Sequence, residues 1–112
     1  MNAIMPDRFQ YSLLLDIYGE LLTESSKDLL DLSCNQDLSL SEIADLRGIS
    51  RQAVSDGIRR AERHLRRYEE TLGMAEVFLA TTEQLDKLDA ALVKRDIIAA
   101  QEAARALRVL AD

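Results

Sequence analysis

The side chains with the clearest binding chemistry in this 112-residue sequence are arginines crowded between positions 50 and 67. A guanidinium group presents its donors in a planar fork that matches phosphate or carboxylate oxygens, so such a cluster predicts an anion-binding surface. With six arginines against two acidic residues, Asp56 and Glu62, the segment carries a formal charge of +4. The arginines are Arg51, Arg59, Arg60, Arg63, Arg66 and Arg67.

The remainder of the chain is acidic, and the formal net charge is −6. Residues 1–49 contain nine acidic and three basic residues, and residues 68–112 contain nine acidic and five basic residues. Because an acidic surface repels phosphates, a nucleic-acid partner is expected only where positive charge is concentrated. The alternative interpretation is that the arginines form a solvated helix face that binds no ligand.

Groups suited to catalysis or metal binding are sparse. The single histidine, His64, lies among arginines, and no serine or cysteine is placed by the sequence to use it as a base. Cys34 is the only cysteine, which excludes an intramolecular disulfide and a Cys/His zinc site and predicts a half-buried apolar filler. We expect a protein that is not an enzyme and needs no metal or other cofactor.

The compartment can be inferred from the same counts. A lone cysteine is typical of intracellular proteins. Residues 1–6 lack the positive charge and apolar run of a signal peptide, and no stretch approaches the roughly eighteen apolar residues of a membrane span. The sequence predicts a cytoplasmic protein that does not span a membrane.

The composition favours helices. The chain contains 19 leucines and 14 alanines but only 15 isoleucines, valines and threonines combined, which predicts an all-α fold and excludes an all-β one. A chain of this length forms one core but has little room for a large enclosed substrate cavity, which argues against a complex multi-substrate enzyme.

Two helices are expected before residue 36. Asp7 can cap a first helix that runs to about Leu22. Thr23 can accept backbone hydrogen bonds as the cap of a second helix, which ends near Asn35.

A third helix and the start of a fourth are predicted by local signals. Ser39 and Glu42 have the spacing of a capping box, which starts a short helix over about residues 40–47. Gly48 ends it, because glycine adopts a left-handed conformation without a Cβ penalty. Ser50 then caps a fourth helix of about 22 residues.

These two helices have the pattern of a helix-turn-helix. Ala44 is small enough to let the helices cross closely, and Gly48 makes the turn. Val54 and Ile58 anchor the second helix in the core. Such a unit either binds DNA or serves as a plain packing module.

The fourth helix separates an apolar face from a basic one, and Gly73 closes it. On a helical wheel of about 100° per residue, the half opposite the apolar stripe contains Gln52 and five of the arginines, namely Arg59, Arg60, Arg63, Arg66 and Arg67. The stripe consists of Val54, Ile58, Ala61, Leu65, Tyr68 and Leu72.

If this helix enters a major groove, its first turns face base edges and its later arginines face phosphates. The predicted reading residues are Arg51, Gln52, Ser55 and Asp56. The residues predicted to contact the phosphates of the DNA backbone are Arg59, Arg60, Arg63, Arg66 and Arg67. Asp56 either accepts from a cytosine amine or pairs with Arg59 or Arg60, and Gly57 indicates close packing or mere tolerance.

The last 39 residues predict a helical hairpin, with a bend near residues 94–96 and Asp96 as the second cap. Its first helix repeats large residues at heptad-like spacing, which indicates helix-on-helix packing. These residues are Met74, Phe78, Thr81, Leu85, Leu88 and Leu92. Such a seam is either intramolecular core or a dimer contact. One hairpin offers little cover, so we expect a homodimer, with residues 1–73 as the helix-turn-helix domain and residues 74–112 as the oligomerisation element.

The runs Leu38 to Ala44 and Ile49 to Glu62 resemble the YlxM-like family of small bacterial helix-turn-helix proteins. Tyr11 to Leu22 and Tyr68 to Gly73 fit the same pattern, so the resemblance covers about residues 8–80. The central run is also similar to DNA-binding region four of bacterial sigma factors.

The resemblance implies a helix-turn-helix fold and a regulatory role in the signal recognition particle pathway. Together with the cluster of arginines between positions 50 and 67, the resemblance predicts a DNA-binding regulator of transcription. The alternative is a protein- or RNA-binding adaptor of the particle, without sequence-specific DNA binding, whose arginine face contacts particle RNA or an acidic protein surface.

Overall fold

The computed structural model describes residues 8–112, which form six α-helices, one short 3-10 helix and no strand. The predicted all-α class is therefore confirmed. The helices are α1 (Arg8–Tyr18), α2 (Glu24–Cys34), α3 (Leu40–Arg47), α4 (Arg51–Leu72), α5 (Met74–Val93) and α6 (Ile97–Ala111). The predicted cap Asp7 lies outside the described residues.

Two predicted helix caps in the first half of the chain are confirmed. The Thr23 side chain accepts from the backbone N–H of Ser26 at 3.1 Å. Ser39 Oγ accepts from Glu42 N at 3.1 Å, and Glu42 Oε1 accepts from Ser39 N at 3.0 Å, which completes the capping box. Each bond satisfies a backbone donor that the helix itself leaves unpaired.

The later caps also form as predicted. Ser50 Oγ accepts from Ala53 N at 3.0 Å at the start of α4, and Asp96 Oδ1 accepts from Ala99 N at 3.0 Å at the start of α6. Gly73 separates α4 from α5 in a left-handed conformation with φ of 62°. The exact length of α4, 22 residues, agrees with the prediction.

The first helix is shorter than predicted. α1 ends at Tyr18, and Gly19–Leu21 form a 3-10 helix closed by a 3.0 Å bond from Leu22 N to Gly19 O. Gly19 is buried, with Lys27 Cε 3.4 Å from where a Cβ would lie. The tighter turn thus forms where the chain passes close against α2.

The chain divides into two compact units, Met1–Leu72 and Gly73–Asp112. In the first unit, α4 packs against α1, α2 and α3. The largest fully buried side chains of this core are Leu30, Ile43, Val54 and Leu65. α4 supplies two of these four side chains. Its apolar side is held in place by contacts with all three neighbouring helices.

The second unit is the hairpin of α5 and α6. The turn between them includes Arg95 in a left-handed conformation with φ of 57°, and Asp96 N donates to Ala91 O at 2.8 Å. Its buried residues are all alanines: Ala75, Ala91, Ala100 and Ala103. Small residues allow the helices to approach closely, and most of the large apolar side chains of α5 remain more than 40% exposed.

Candidate nucleic-acid interface

α3 and α4 form the predicted helix-turn-helix. Gly48 adopts φ of 67°, and its N–H donates to Ala44 O at 2.9 Å, so the chain turns directly after the end of α3. Ile43 and Ala44 are buried on one side of the turn, and Val54 and Ile58 are buried on the other. The turn and its apolar contacts hold α4 at a fixed angle to α3.

A bidentate ion pair attaches the end of α3 to α2. Arg47 Nη2 donates to Asp28 Oδ1 at 2.7 Å, and its Nε donates to Asp28 Oδ2 at 2.5 Å. The hydrogen bond from Arg47 holds the pKa of the Asp28 carboxyl below its ordinary value. Paired donors fix both distance and orientation, so the ion pair restrains the helix that precedes the turn.

Gly57 sits where α4 crosses α2. A Cβ at this position would lie 2.5 Å from Leu29 Cδ1, and Leu29 is only 6% exposed. Of the two interpretations that the sequence allowed for Gly57, close packing is therefore the one that the structure supports. The glycine brings α4 close to α2 in its second turn.

The apolar stripe of α4 is buried over most of its length. Val54, Ala61 and Leu65 are fully buried, and Tyr68 is half-buried. The prediction that Leu72 belongs to the core face of α4 is wrong, because its side chain is 55% exposed. It is the last residue of α4, where Gly73 turns the chain.

An aromatic contact takes over from the aliphatic stripe at the end of α4. The rings of Tyr18 and Tyr68 lie 5.9 Å apart, and Tyr68 Oη donates to Leu21 O at 3.3 Å. The ring of His64 stacks on that of Tyr68, with the two ring centroids 6.4 Å apart, and His64 is exposed. The histidine thus lies at the solvent edge of α4.

Five of the six clustered arginines are exposed, four of them on the side of α4 opposite the core and Arg51 in its first turn. Among residues 8–112, none of these five side chains donates a hydrogen bond or forms a direct ion pair. They are Arg51, Arg59, Arg60, Arg63 and Arg67. We call this set the basic face. Its guanidinium groups have donors available for an external anion.

Arg66 differs from the other five. Its Nη1 donates to Tyr11 Oη at 2.6 Å, and its side chain is half-buried between α4 and α1. Sequence reasoning placed it with the phosphate contacts because its wheel position is polar. The partner that holds it is 55 residues away in the sequence.

The first turns of α4 also contain a contact that the sequence did not predict. Gln52 Nε2 donates to Asp56 Oδ1 at 2.9 Å, one helical turn away. Within the described chain, Asp56 makes no ion pair with Arg59 or Arg60. Ser55 is half-buried, whereas Arg51 is exposed. The amide that could read a base is therefore engaged within the helix.

A cleft beside the basic face escaped the sequence analysis. It encloses about 420 Å³ between α1, the end of α2 and α4, and Glu62 and Cys34 are among its lining residues. Burial raises the pKa of the Glu62 carboxyl, against the opposing effect of Arg66 and Arg59. Burial also raises the pKa of the Cys34 thiol, which is half-buried as expected.

Neither a metal site nor a membrane helix is found in the described part of the chain. Residues 8–112 contain no group of three or more His, Cys, Asp or Glu side chains that could hold a metal ion. Over the same residues, no helix combines the length and apolar character needed to cross a membrane.

Comparison with known proteins decides the family. Residues 5–104 match the pattern of UPF0122, described as "Putative helix-turn-helix protein, YlxM / p13 like". The chain belongs to the UPF0122 family. The match includes the helix-turn-helix, the basic face and most of the hairpin, so the resemblance expected for residues 8–80 is confirmed and extends beyond them.

Similar proteins occur in several bacteria. A UPF0122 protein of Symbiobacterium thermophilum is 44% identical over 104 residues, which is 93% of this chain and 97% of the relative. One from Clostridium kluyveri is 54% identical over 72 residues, 64% of this chain and 65% of the relative. A third, from Desulforamulus reducens, is 42% identical over 81 residues, 72% of this chain and 69% of the relative.

Proposed function

We propose that this UPF0122 protein is a non-enzymatic, cytoplasmic regulator that binds duplex DNA through the basic face of α4. The observation that carries the proposal is that four exposed arginines, without a direct partner among residues 8–112, lie on the outer side of a helix whose inner side is core, and a fifth, Arg51, is exposed in its first turn. That helix is the second of a helix-turn-helix, the element that enters the major groove in many DNA-binding proteins.

The contacts expected along α4 differ in kind. Arg59, Arg60, Arg63 and Arg67 lie in its later turns and would neutralise phosphates, which fixes position without reading sequence. Arg51 is exposed in the first turn and can form a bidentate pair with guanine. Arg66 remains with Tyr11 and serves to hold α4 on α1.

Base reading by Gln52 has a cost. Its amide must leave Asp56 before it can pair with adenine, which exchanges one hydrogen bond for another. A carboxylate at position 56 also opposes the approach of phosphates. Phosphate contacts are therefore expected to supply most of the affinity, and sequence discrimination is expected to be modest.

A second candidate function follows from the same observation. A basic face with little base-reading capacity suits RNA, whose helices are bound largely through phosphates and shape. In this alternative the protein is an adaptor of the signal recognition particle, in line with the pathway that the family resemblance implies. Its arginines would then contact particle RNA or an acidic protein surface.

The two functions are separated by a binding assay with labelled nucleic acids. The full chain is titrated at low salt against a duplex from the promoter of its own operon, a scrambled duplex of the same length, and signal recognition particle RNA. Duplex binding supports the regulator. Retained RNA binding with no affinity for either duplex contradicts it and supports the adaptor.

The proposal includes a homodimer formed through the hairpin of α5 and α6. Phe78, Leu85 and Leu92 are each about half exposed within the chain, at 52%, 46% and 56%. Residues of this size normally find cover in a folded domain. A dimer would also carry two basic faces, which raises affinity for a polyanion by increasing the effective concentration of the second contact.

A further inference from the structure

The hairpin has one apolar side that no described residue covers fully. On α5, Met74, Phe78, Leu85 and Leu92 fall within about 40° of one another at 100° per residue, and each is about half exposed. On α6, Ile97, Ala104 and Ala111 fall within a similar arc of about 40°, and all three are exposed. We call these two stripes together the open face.

Both stripes lie on the same side of the hairpin. α5 turns Ala91 toward α6, and α6 turns Ala100 and Ala103 toward α5. These alanines mark the line along which each helix contacts the other. Counted along the chain, each stripe is rotated away from this line in the same direction. Because the helices run antiparallel, rotation in the same direction brings both stripes to the same side of the hairpin. The other side of the hairpin is a polar groove of about 350 Å³ whose lining includes Lys87 and Glu102.

The two outer edges of the open face carry opposite charge. Asp86 and Asp89 lie just beyond the α5 stripe, and Arg105 and Arg108 lie just beyond the α6 stripe. All four are exposed, and none forms an ion pair or a hydrogen bond with another side chain of the described chain. Within one hairpin the acidic and basic edges are on opposite helices and face away from each other.

We propose that the open face is covered by the open face of a second copy, with α5 of each protomer against α6 of its partner. A two-fold axis parallel to the helices produces this arrangement, in which every helix is antiparallel to both neighbours of a four-helix bundle. The acidic edge of α5 then lies beside the basic edge of the partner's α6. The inference rests on the homodimer part of the proposed function and is independent of nucleic-acid binding.

The register supports the pairing. A two-fold rotation without translation places residues at equal distance from the turn at the same height along the bundle. Asp86 lies nine residues before Arg95, and Arg105 lies ten residues after it, so the two side chains differ in height by about one residue rise of 1.5 Å. The other possible pairing, α5 against α5, would place the acidic edges together.

A second copy is favoured over an unrelated partner because the face is complementary to itself. Apolar residues form its middle, and each edge carries the charges that the other edge lacks. A two-fold contact requires this relation, since residue i must meet residue j and residue j must meet residue i.

Charge reversal in the full-length chain tests the arrangement, with molar mass measured by light scattering and the dimer Kd by sedimentation at low salt. Asp86→Arg with Asp89→Arg, or Arg105→Asp with Arg108→Asp, should weaken the dimer about ten-fold or more, since attraction at both edges becomes repulsion. Combining all four changes should restore the wild-type Kd. The matched control, Lys87→Glu with Lys94→Glu, alters the polar side and should leave the Kd unchanged.

The outcomes separate the two levels of the proposal. A monomeric wild-type chain across the accessible concentration range overturns the dimer and, with it, this inference, while nucleic-acid binding is still tested by titration. A dimer that ignores the reversals, or that the four-fold variant fails to restore, overturns the α5-to-α6 arrangement alone. Leu85→Asp provides a second check: it should give a monomer that keeps its helical circular dichroism, because Leu85 is 46% exposed within the chain.

Discussion

The guanidinium of Arg66 donates to the Tyr11 hydroxyl at 2.6 Å and thereby joins α4 to α1 across 55 residues of sequence. Arg63 is three residues earlier, is exposed, and makes no such bond within the described chain. Of these two arginines of one cluster, Arg66 is therefore bonded within the fold, whereas Arg63 is proposed to bind nucleic acid.

Substitutions at these two positions should affect different properties, stability at Arg66 and nucleic-acid binding at Arg63. Arg66→Ala should lower the free energy of unfolding by about 1 kcal/mol, because a half-buried charge-assisted hydrogen bond is lost. Arg63→Ala should leave stability unchanged and weaken nucleic-acid binding. Urea unfolding and duplex titration of both variants measure this contrast. Tyr11→Phe is the control, since it removes only the acceptor; if Tyr11→Phe and Arg66→Ala both leave stability intact, the anchoring role is refuted.

Gly57→Ala should destabilise the protein by up to about 2 kcal/mol, although alanine is the better helix former. Overpacking a buried position costs about 1 to 3 kcal/mol and outweighs a propensity gain of about 1 kcal/mol. Leu29→Val removes the obstructing Cδ1, so in that background Gly57→Ala should become neutral or stabilising. Thermal unfolding of the four proteins gives the coupling energy, and additive effects would argue against the close approach.

The ion pair between Asp28 and Arg47 should make stability depend on pH at the acidic end. The pKa of Asp28 is lowered by Arg47 from its ordinary value of 3.8, so its contribution is present above that value and is lost as the pH falls through the folded pKa. Arg47→Gln should therefore be less stable than the wild type at pH 7, and this difference should shrink as the pH falls below 3.8 and Asp28 becomes protonated in the folded protein. Melting temperatures across this range test the claim, and a constant difference would contradict it.

Glu62 should show the opposite dependence. Burial raises its pKa above the ordinary value of 4.5, so the folded protein binds the proton more tightly than the unfolded chain does. The free energy of unfolding therefore falls as the pH rises from 4.5 to the pKa of the folded protein. Glu62→Gln should gain stability relative to the wild type at pH 7 and lose that advantage below pH 4. Glu70, exposed on the same helix, provides Glu70→Gln as the control. An advantage that does not change with pH would rule out titration of Glu62 as its source.

Local chemistry explains which parts of the fold the sequence could predict. The capping box of Ser39 and Glu42 and the caps Ser50 and Asp96 depend on residues three apart, so their spacing alone specifies the bonds. The apolar stripe of α4 follows from helical periodicity in the same way. Such features are present in the sequence before any tertiary contact forms.

The candidate site was predicted less completely, because its details depend on distant partners. A wheel places Arg66 on the polar half of α4 but cannot show that Tyr11 of α1 reaches it. Glu62 and Cys34 meet at a cleft only because α1, α2 and α4 converge there. The bond between Gln52 and Asp56 is local, and its i to i+4 spacing was a signal that could have been used.

The most direct test of the central claim is the salt dependence of duplex binding by the full-length chain. Each neutralised phosphate contributes about −0.9 to the slope of log K against log salt, so contacts from Arg59, Arg60, Arg63 and Arg67 predict about −3.6 per protomer. Arg59→Glu with Arg63→Glu should reduce the slope to about −1.8, and Lys87→Glu with Lys94→Glu, which changes the charge equally, should leave it near −3.6. An unchanged slope in the arginine variant, or no duplex binding at low salt, would contradict the account.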